Sequence, residues 1–303
     1  MLRRWLTYLN EVFLPGSRTL ASVILVVGIQ WLYQSLLGRA PLVLSTDSLF
    51  AVVTLVLILL YYRVQDEFKD AETDRRFFPH RPVPSGRVTF TDLRALMWLT
   101  FAALFALHAI WRVAVVPFLA LFTFAVLMHN WFFLKRHIST NRLLALVTHA
   151  PVSLIGNYYA LAVYTNRLGE PISVGPAWLT IVWFALPSLA WEIARKTRAP
   201  AEEIPGYQTY SAMIGSAGAA LLSIVFVVAQ CGLAFALPAS TTYLVLLLAM
   251  SAAYVIWFVR FALRPSIGSK TLKPVAELFS LVSTIGLIAD LALGRGMRWL
   301  GWP

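Results

Sequence analysis

Nine long apolar stretches follow one another along this 303-residue chain, and they decide what it can fold into. They run at roughly 19–37, 47–64, 92–111, 113–134, 142–164, 176–195, 211–236, 239–262 and 275–294. A helix needs about 20 apolar residues to cross a bilayer. Within the hydrocarbon the backbone must satisfy its own hydrogen bonds, and stretches this long and uniformly apolar do so as helices. The expected fold is therefore all-α, a single domain over 1–303 built as a polytopic bundle of nine transmembrane helices around a central cavity. Only Trp111-Arg112 separates the third stretch from the fourth. The fifth is the least regular, with Pro151, Gly156 and Asn157 inside it.

Composition fits no soluble class: 59% of residues are hydrophobic and only 13% charged, with a mean hydropathy of +0.72. One cysteine, Cys231, excludes an internal disulfide and a thiolate metal cluster. The first apolar stretch is longer than a signal-peptide core and has no small-x-small cleavage site after it, so no cleaved signal is expected. The net charge of +11 points to orientation in a membrane rather than to nucleic acid. Numbered by alternation, the N-terminal segment and the even loops hold 20 of the Lys and Arg residues and the opposite side holds 5. That split places the N-terminus and the even loops in the cytoplasm and the C-terminus outside.

Acids follow the same geography. Asp66, Glu67, Asp70, Glu72 and Asp74 fall within nine residues, directly after the second apolar stretch. In a continuing helix Asp66, Asp70 and Asp74 stack at i, i+4 and i+8. Like charges so spaced repel by roughly 0.2–0.5 kcal/mol per exposed pair, and more as the site dries out. Such a stack at a membrane boundary calls for a cation. Four helices later a second polar loop carries Glu192, Arg195, Lys196, Arg198, Glu202 and Glu203. Two similar elements at that offset suggest an internal duplication, helices 1–4 and 5–8 with the ninth appended.

Mg2+ takes oxygen ligands from a few carboxylates and from substrate phosphates. A diphosphate needs the metal and nearby Arg or Lys to neutralise it. An apolar bundle beneath them can hold a hydrocarbon tail. Together these describe an isoprenyl diphosphate at the membrane surface.

The residues that carry this reading also carry a resemblance. Asp66-Glu67-x-x-Asp70-x-x-x-Asp74, followed by Arg81-Pro82-x-x-x-Gly86, resembles the Asn-Asp-x-x-Asp-x-x-x-Asp and Arg-Pro-x-x-x-Gly motifs of the UbiA superfamily of intramembrane prenyltransferases. Asp66 replaces the Asn and Glu67 the first Asp, and both keep an oxygen ligand. The second motif of that family is usually Asp-x-x-x-Asp ahead of a Gly and a Ser. Gly206 and Ser211 are present here, but Arg198 and Glu202 stand at the acid positions.

The resemblance implies a transferase of prenyl groups, that is, of alkyl groups other than methyl. It implies Mg2+ held by Asp66, Glu67, Asp70, Asp74, Glu192, Glu202 and Glu203. Arg81, Arg195, Lys196 and Arg198 would contact phosphate. Ionisation of an allylic diphosphate would leave a cation over aromatic faces, with Tyr158 and Tyr159 as candidates and Asn157 orienting a lipophilic or aromatic acceptor. Two other classes stay open, a membrane terpene cyclase on the same scaffold and a transporter. Transporters usually place ionisable groups near the bilayer midplane, whereas these acids gather at one surface. His108, His129 and His149 share neither a helix face nor a ligand spacing and read as buried polar contacts. Asp290 has no evident role in the sequence.

Overall fold

The computed structural model describes residues 1–300. Helices α1 (Leu2–Tyr8), α2 (Pro15–Leu36), α3 (Thr46–Lys69), α4 (Ala71–Phe77), α5 (Phe90–Trp111) and α6 (Val115–His129) form the first part of the chain. Short α7 (Lys135–Ile138) and α8 (Arg142–His149) lead into α9 (Pro151–Leu168). Then come α10 (Val174–Arg195), α11 (Tyr210–Ala234), α12 (Thr241–Leu263) and α13 (Leu272–Arg295). Strands β1 (Leu42–Ser45) and β2 (Met297–Leu300) pair in parallel, Leu42 opposite Met297.

Among these residues seven helices, α2, α3, α5 and α10 to α13, are long and apolar enough to cross a membrane. Helix α6 is apolar but has 15 residues, about 22 Å of rise. The expected fifth segment, 142–164, breaks at Ala150-Pro151 into α8 and α9, because proline has no N–H to continue the helix and starts a new one well.

Helix α6 runs from the C-terminal end of α9 to the C-terminal end of α3. The Lys69 Nζ group donates to the Met128 carbonyl at 3.2 Å at one end. The Ala114 N–H donates to Asn166 Oδ1 at 2.9 Å at the other. The most apolar windows of α3 and α10 are each 61% buried, against 28% for α5, α11 and α12. The helices that precede the two polar loops are thus inner ones, together with α2 at 56%, and the outer helices expose Trp98, Ile110, Leu221 and Ile256. Gly28 lets Phe184 of α10 press directly against α2.

Buried amides replace water in the interior. Gln30 Nε2 donates to the Ala160 carbonyl at 3.1 Å, and Ser48 Oγ donates to Gln30 Oε1 at 2.7 Å. Gln34 binds both backbone groups of Val43 and ties β1 to α2. Helix starts carry the caps that their sequences offer. Thr89 and Asp92 form a reciprocal capping box for α5, and Thr209 and Ser240 accept the first free amides of α11 and α12. Asp290 accepts the Ser240 N–H at 2.9 Å, which gives this acid its place in joining α12 to α13.

Candidate active site

The first acidic motif occupies the last turn of α3 and the first turn of α4. Asp70 is the joint between them, and the Asp70 and Asp74 amides still reach back four residues, at 2.8 Å each. Each residue of a helix turns by about 100°, so the motif divides between two faces.

On one face, Glu67 pairs with Arg63 at 2.6 Å and Asp74 with Arg81 at 2.9 Å. Arg63 and Arg81 also line a groove of about 400 Å³ together with Glu11, His80 and Arg87. On the other face stand Tyr62, Gln65, Asp66 and Lys69, at i, i+3, i+4 and i+7. The Tyr62 hydroxyl and Gln65 Oε1 are buried without a hydrogen-bond partner. Asp66 and Asp70 accept no side-chain hydrogen bond and make no ion pair among the described residues. Asp66 lies within electrostatic reach of Asp70, Lys69 and Lys196. The structure therefore brings Asp66 and Asp70 together and turns Glu67 and Asp74 toward arginines.

The second polar loop divides as well. Glu192 stands between Lys196 at 2.9 Å and Arg195 at 2.5 Å. Arg142 lies within reach of Lys196 and donates to the Gln208 carbonyl at 3.2 Å. Arg198 folds onto its own loop, donating to the carbonyls of Arg195 and Thr197. Glu203 accepts the Thr209 hydroxyl at 2.8 Å and the Ser211 hydroxyl at 2.6 Å. Glu202 accepts the backbone N–H groups of Ala199 at 3.1 Å and Ser269 at 3.0 Å. Burial opposes the ionised form of Glu202, but these hydrogen bonds outweigh it and hold the carboxyl below the ordinary glutamate range. Glu202, Glu203 and Arg198 thus build the loop and do not join Asp66.

The two loops meet. The Tyr207 ring lies 5.4 Å from that of Phe77 and 5.6 Å from that of Phe78. Gly206, at φ +83, sits against the Arg76 guanidinium.

Within α9 the expected substrate contacts are placed otherwise. Asn157 is buried and donates to the Ile181 carbonyl of α10 at 2.9 Å. Tyr159 is fully buried, its hydroxyl 3.1 Å from His108 Nε2. Both are buried and make hydrogen bonds between helices, whereas the resemblance implies that they face substrate. Tyr158 is exposed. His108 is the buried polar contact expected of it.

His149 also makes a polar contact, a partly buried one. Its Nε2 lies 2.8 Å from Lys69 Nζ, which puts it at the site. No sequence spacing signals this pairing, because the two residues lie 80 positions apart.

A family model for UbiA, the UbiA prenyltransferase family, matches residues 26–279. The chain belongs to the UbiA prenyltransferase family. It is an integral, multi-pass membrane protein with a prenyltransferase-type fold. The structure of a digeranylgeranylglyceryl phosphate synthase superposes with a TM-score of 0.62 at 16% identity, covering 95% of this chain and 99% of that one. The apo structure of a UbiA homologue from Aeropyrum pernix K1 gives 0.59 at 17% identity, covering 90% and 97%. No curated protein sequence matches the chain.

Among the described residues no three His, Cys, Asp or Glu side chains converge closely enough to hold an ion by themselves. Mg2+ also takes a smaller donor set, one or two carboxylates with open positions that phosphate oxygens fill. Asp66 and Asp70 fit it, because both are free of competing partners.

Proposed function

We propose that this protein transfers an isoprenyl group from an allylic isoprenyl diphosphate to a lipophilic acceptor, aromatic or otherwise, with Mg2+ held by Asp66 and Asp70. One observation carries the reading. Two unpaired carboxylates one turn apart stand at the end of an inner helix, and Asp66 lies within reach of Lys196 on the opposing loop.

Bound Mg2+ would supply Lewis-acid stabilisation of the charge growing on the departing diphosphate. The chain's own residues do the remainder. Asp66 and Asp70 present oxygen ligands. Lys196, Arg195 and Arg142 bind phosphate oxygens, and Glu192 keeps Lys196 and Arg195 in place. Phe77, Phe78 and Tyr207 join the loops over the site, which limits water that would hydrolyse an allylic cation. The allylic C–O bond breaks with its electron pair leaving on the diphosphate oxygen. The acceptor then forms the new bond and loses its proton.

The prenyl tail lies in the membrane among the helices. The N-terminal segment and the polar loops gather at one end of the bundle, joined by Arg87 to Glu11, Tyr207 to Phe77 and Ser269 to Glu202. That grouping supports nine passes, with this end cytoplasmic and the C-terminus outside. We read α2, α3, α5 and α6 against α9 to α12 as pseudo-repeats, because α3 and α10 hold equivalent inner positions.

The test is incubation of purified protein with isoprenyl diphosphates of each chain length and Mg2+, with and without quinone-precursor and lipid acceptors. Acceptor-dependent diphosphate release with a prenylated product is expected. A cyclic hydrocarbon formed without acceptor would transfer the protein to the cyclase class, and no diphosphate release at all would remove the reading.

A further inference from the structure

Lys69 carries a positive charge that no carboxylate in the described chain pairs with. Its ammonium donates to the Met128 carbonyl at 3.2 Å and meets His149 Nε2 at 2.8 Å. It also lies 3.9 Å from the centroid of the Trp131 ring. A carbonyl oxygen, an imidazole lone pair and a π face are all neutral, and all three favour a cation. The seat is purpose-built. Thr148 Oγ1 lies 3.0 Å from His149 Nδ1 and fixes the ring, while Trp131 and Phe132 stand edge-on to it.

The backbone beneath the seat is strained. Trp131, Phe132 and Phe133 all have positive φ, at 53°, 51° and 60°. Bulky aromatic residues rarely adopt this region, and three in succession persist only where the surroundings hold them. Here that turn puts Trp131 under Lys69.

A cation at the mouth of a membrane bundle is costly when unpaired. Asp66 and Asp70 feel the charge of Lys69, yet neither closes an ion pair with it. Arg142 adds to the positive field around both Lys69 and Lys196. Within this cluster Lys69, Arg142, Arg195 and Lys196 face Asp66, Asp70 and Glu192, a surplus of one positive charge. A fully ionised diphosphate ester carries a threefold negative charge. One divalent ion added to the cluster balances it, and two would exceed it. The acids a second ion would take from the other loop, Glu202 and Glu203, are engaged with backbone amides and hydroxyls.

We infer that Lys69 is a fixed counter-charge that grips the departing diphosphate where a second metal ion would otherwise stand. The inference rests on the prenyl-transfer reading above and adds to it one residue and one metal stoichiometry. No proton moves in this step. The ammonium donates a hydrogen bond to a phosphate oxygen as the allylic C–O bond breaks.

The experiment uses the full chain in detergent micelles, with Mn2+ and inorganic pyrophosphate as probes. Electron paramagnetic resonance at saturating pyrophosphate should count one bound Mn2+ per chain. By calorimetry, Lys69→Met should weaken pyrophosphate binding about tenfold or more, and Lys69→Arg should keep it within about threefold, as expected for loss and retention of a charge-assisted hydrogen bond. Two Mn2+ per chain, or unchanged affinity in Lys69→Met, overturns the inference. The ion count needs no variant and stands even if Lys69→Met fails to fold. Asp66→Asn separates the two levels. If it abolishes Mn2+ binding while Lys69→Met changes nothing, only the role of Lys69 falls. If the wild-type chain binds no pyrophosphate, or Asp66→Asn leaves Mn2+ binding intact, the prenyl-transfer site falls with it.

Discussion

Arg81 Nη1 donates to both carboxylate oxygens of Asp74, at 2.9 Å each. The same guanidinium lies 3.9 Å from the centroid of Phe78. The Arg-Pro turn is thereby folded back onto the acidic helix, with Asp74 as its anchor. Asp74→Asn and Arg81→Ala should each loosen the turn, and the double variant should be no worse than either alone. A coupling energy of about 1 kcal/mol is expected from a double-mutant cycle on thermal unfolding. Mn2+ binding should survive in Asp74→Asn. Additive effects, or loss of the ion with Asp74, would separate the pair and return Asp74 to the metal.

Asp66 and Asp70 should behave differently. Neither has a competing partner, so Asp66→Asn or Asp70→Asn removes a ligand without releasing a structural contact. Mg2+-dependent diphosphate release should fall by about 10²–10³ while the melting temperature changes little. Excess chelator should reproduce the loss in the wild-type chain. Full activity in either variant would dismiss these two residues as metal holders.

Much of this was legible before any fold was drawn. Seven of the nine apolar stretches correspond to helices long enough to cross a membrane, because bilayer length leaves a distinctive mark on sequence, while the fourth and fifth form the shorter α6 and the α8–α9 pair broken at Pro151. The two polar loops were visible because charge is scarce elsewhere. What escaped was direction. Spacing alone set Asp66, Glu67, Asp70 and Asp74 together, yet a one-residue step in a helix turns a side chain by about 100°, and Arg63 and Arg81 claim the acids on that second face. Glu202 and Glu203 looked like ligands, but a tight loop must first satisfy its own amides and hydroxyls. The seat of Lys69 was invisible, since Met128, Trp131 and His149 come from a distant segment held in a strained turn.

Gly206 is required where the two loops touch. It holds φ +83, and a Cβ there would meet Arg76 Nη2 at 3.4 Å. The contact itself is ordinary, so the cost of Gly206→Ala is backbone strain, about 1–3 kcal/mol for a residue that avoids positive φ. Tyr207 should then lose its place between Phe77 and Phe78. Limited proteolysis should cut the 196–209 loop faster in the variant, and substrate affinity should drop more than turnover. Wild-type protection would show that this turn does not govern how the loops close.

Glu202 fastens the second polar loop to the segment before α13, through the Ser269 amide at 3.0 Å. Its carboxyl is held below the ordinary glutamate range in the folded chain, because the hydrogen bonds from Ser269 and Ala199 outweigh the opposing effect of burial. The unfolded chain titrates this group at about 4.3. The group therefore stabilises the fold fully above that pH, where both states are ionised and only the folded one gains the hydrogen bonds. As pH falls through the lower folded value, both states become protonated and the contribution disappears. Glu202→Gln removes the charge at every pH. The wild-type chain should melt higher than this variant at pH 7, and the gap should narrow through pH 4 and close near the acid limit. A gap that stays constant across that range would mean that the carboxylate's charge does not hold the two loops together.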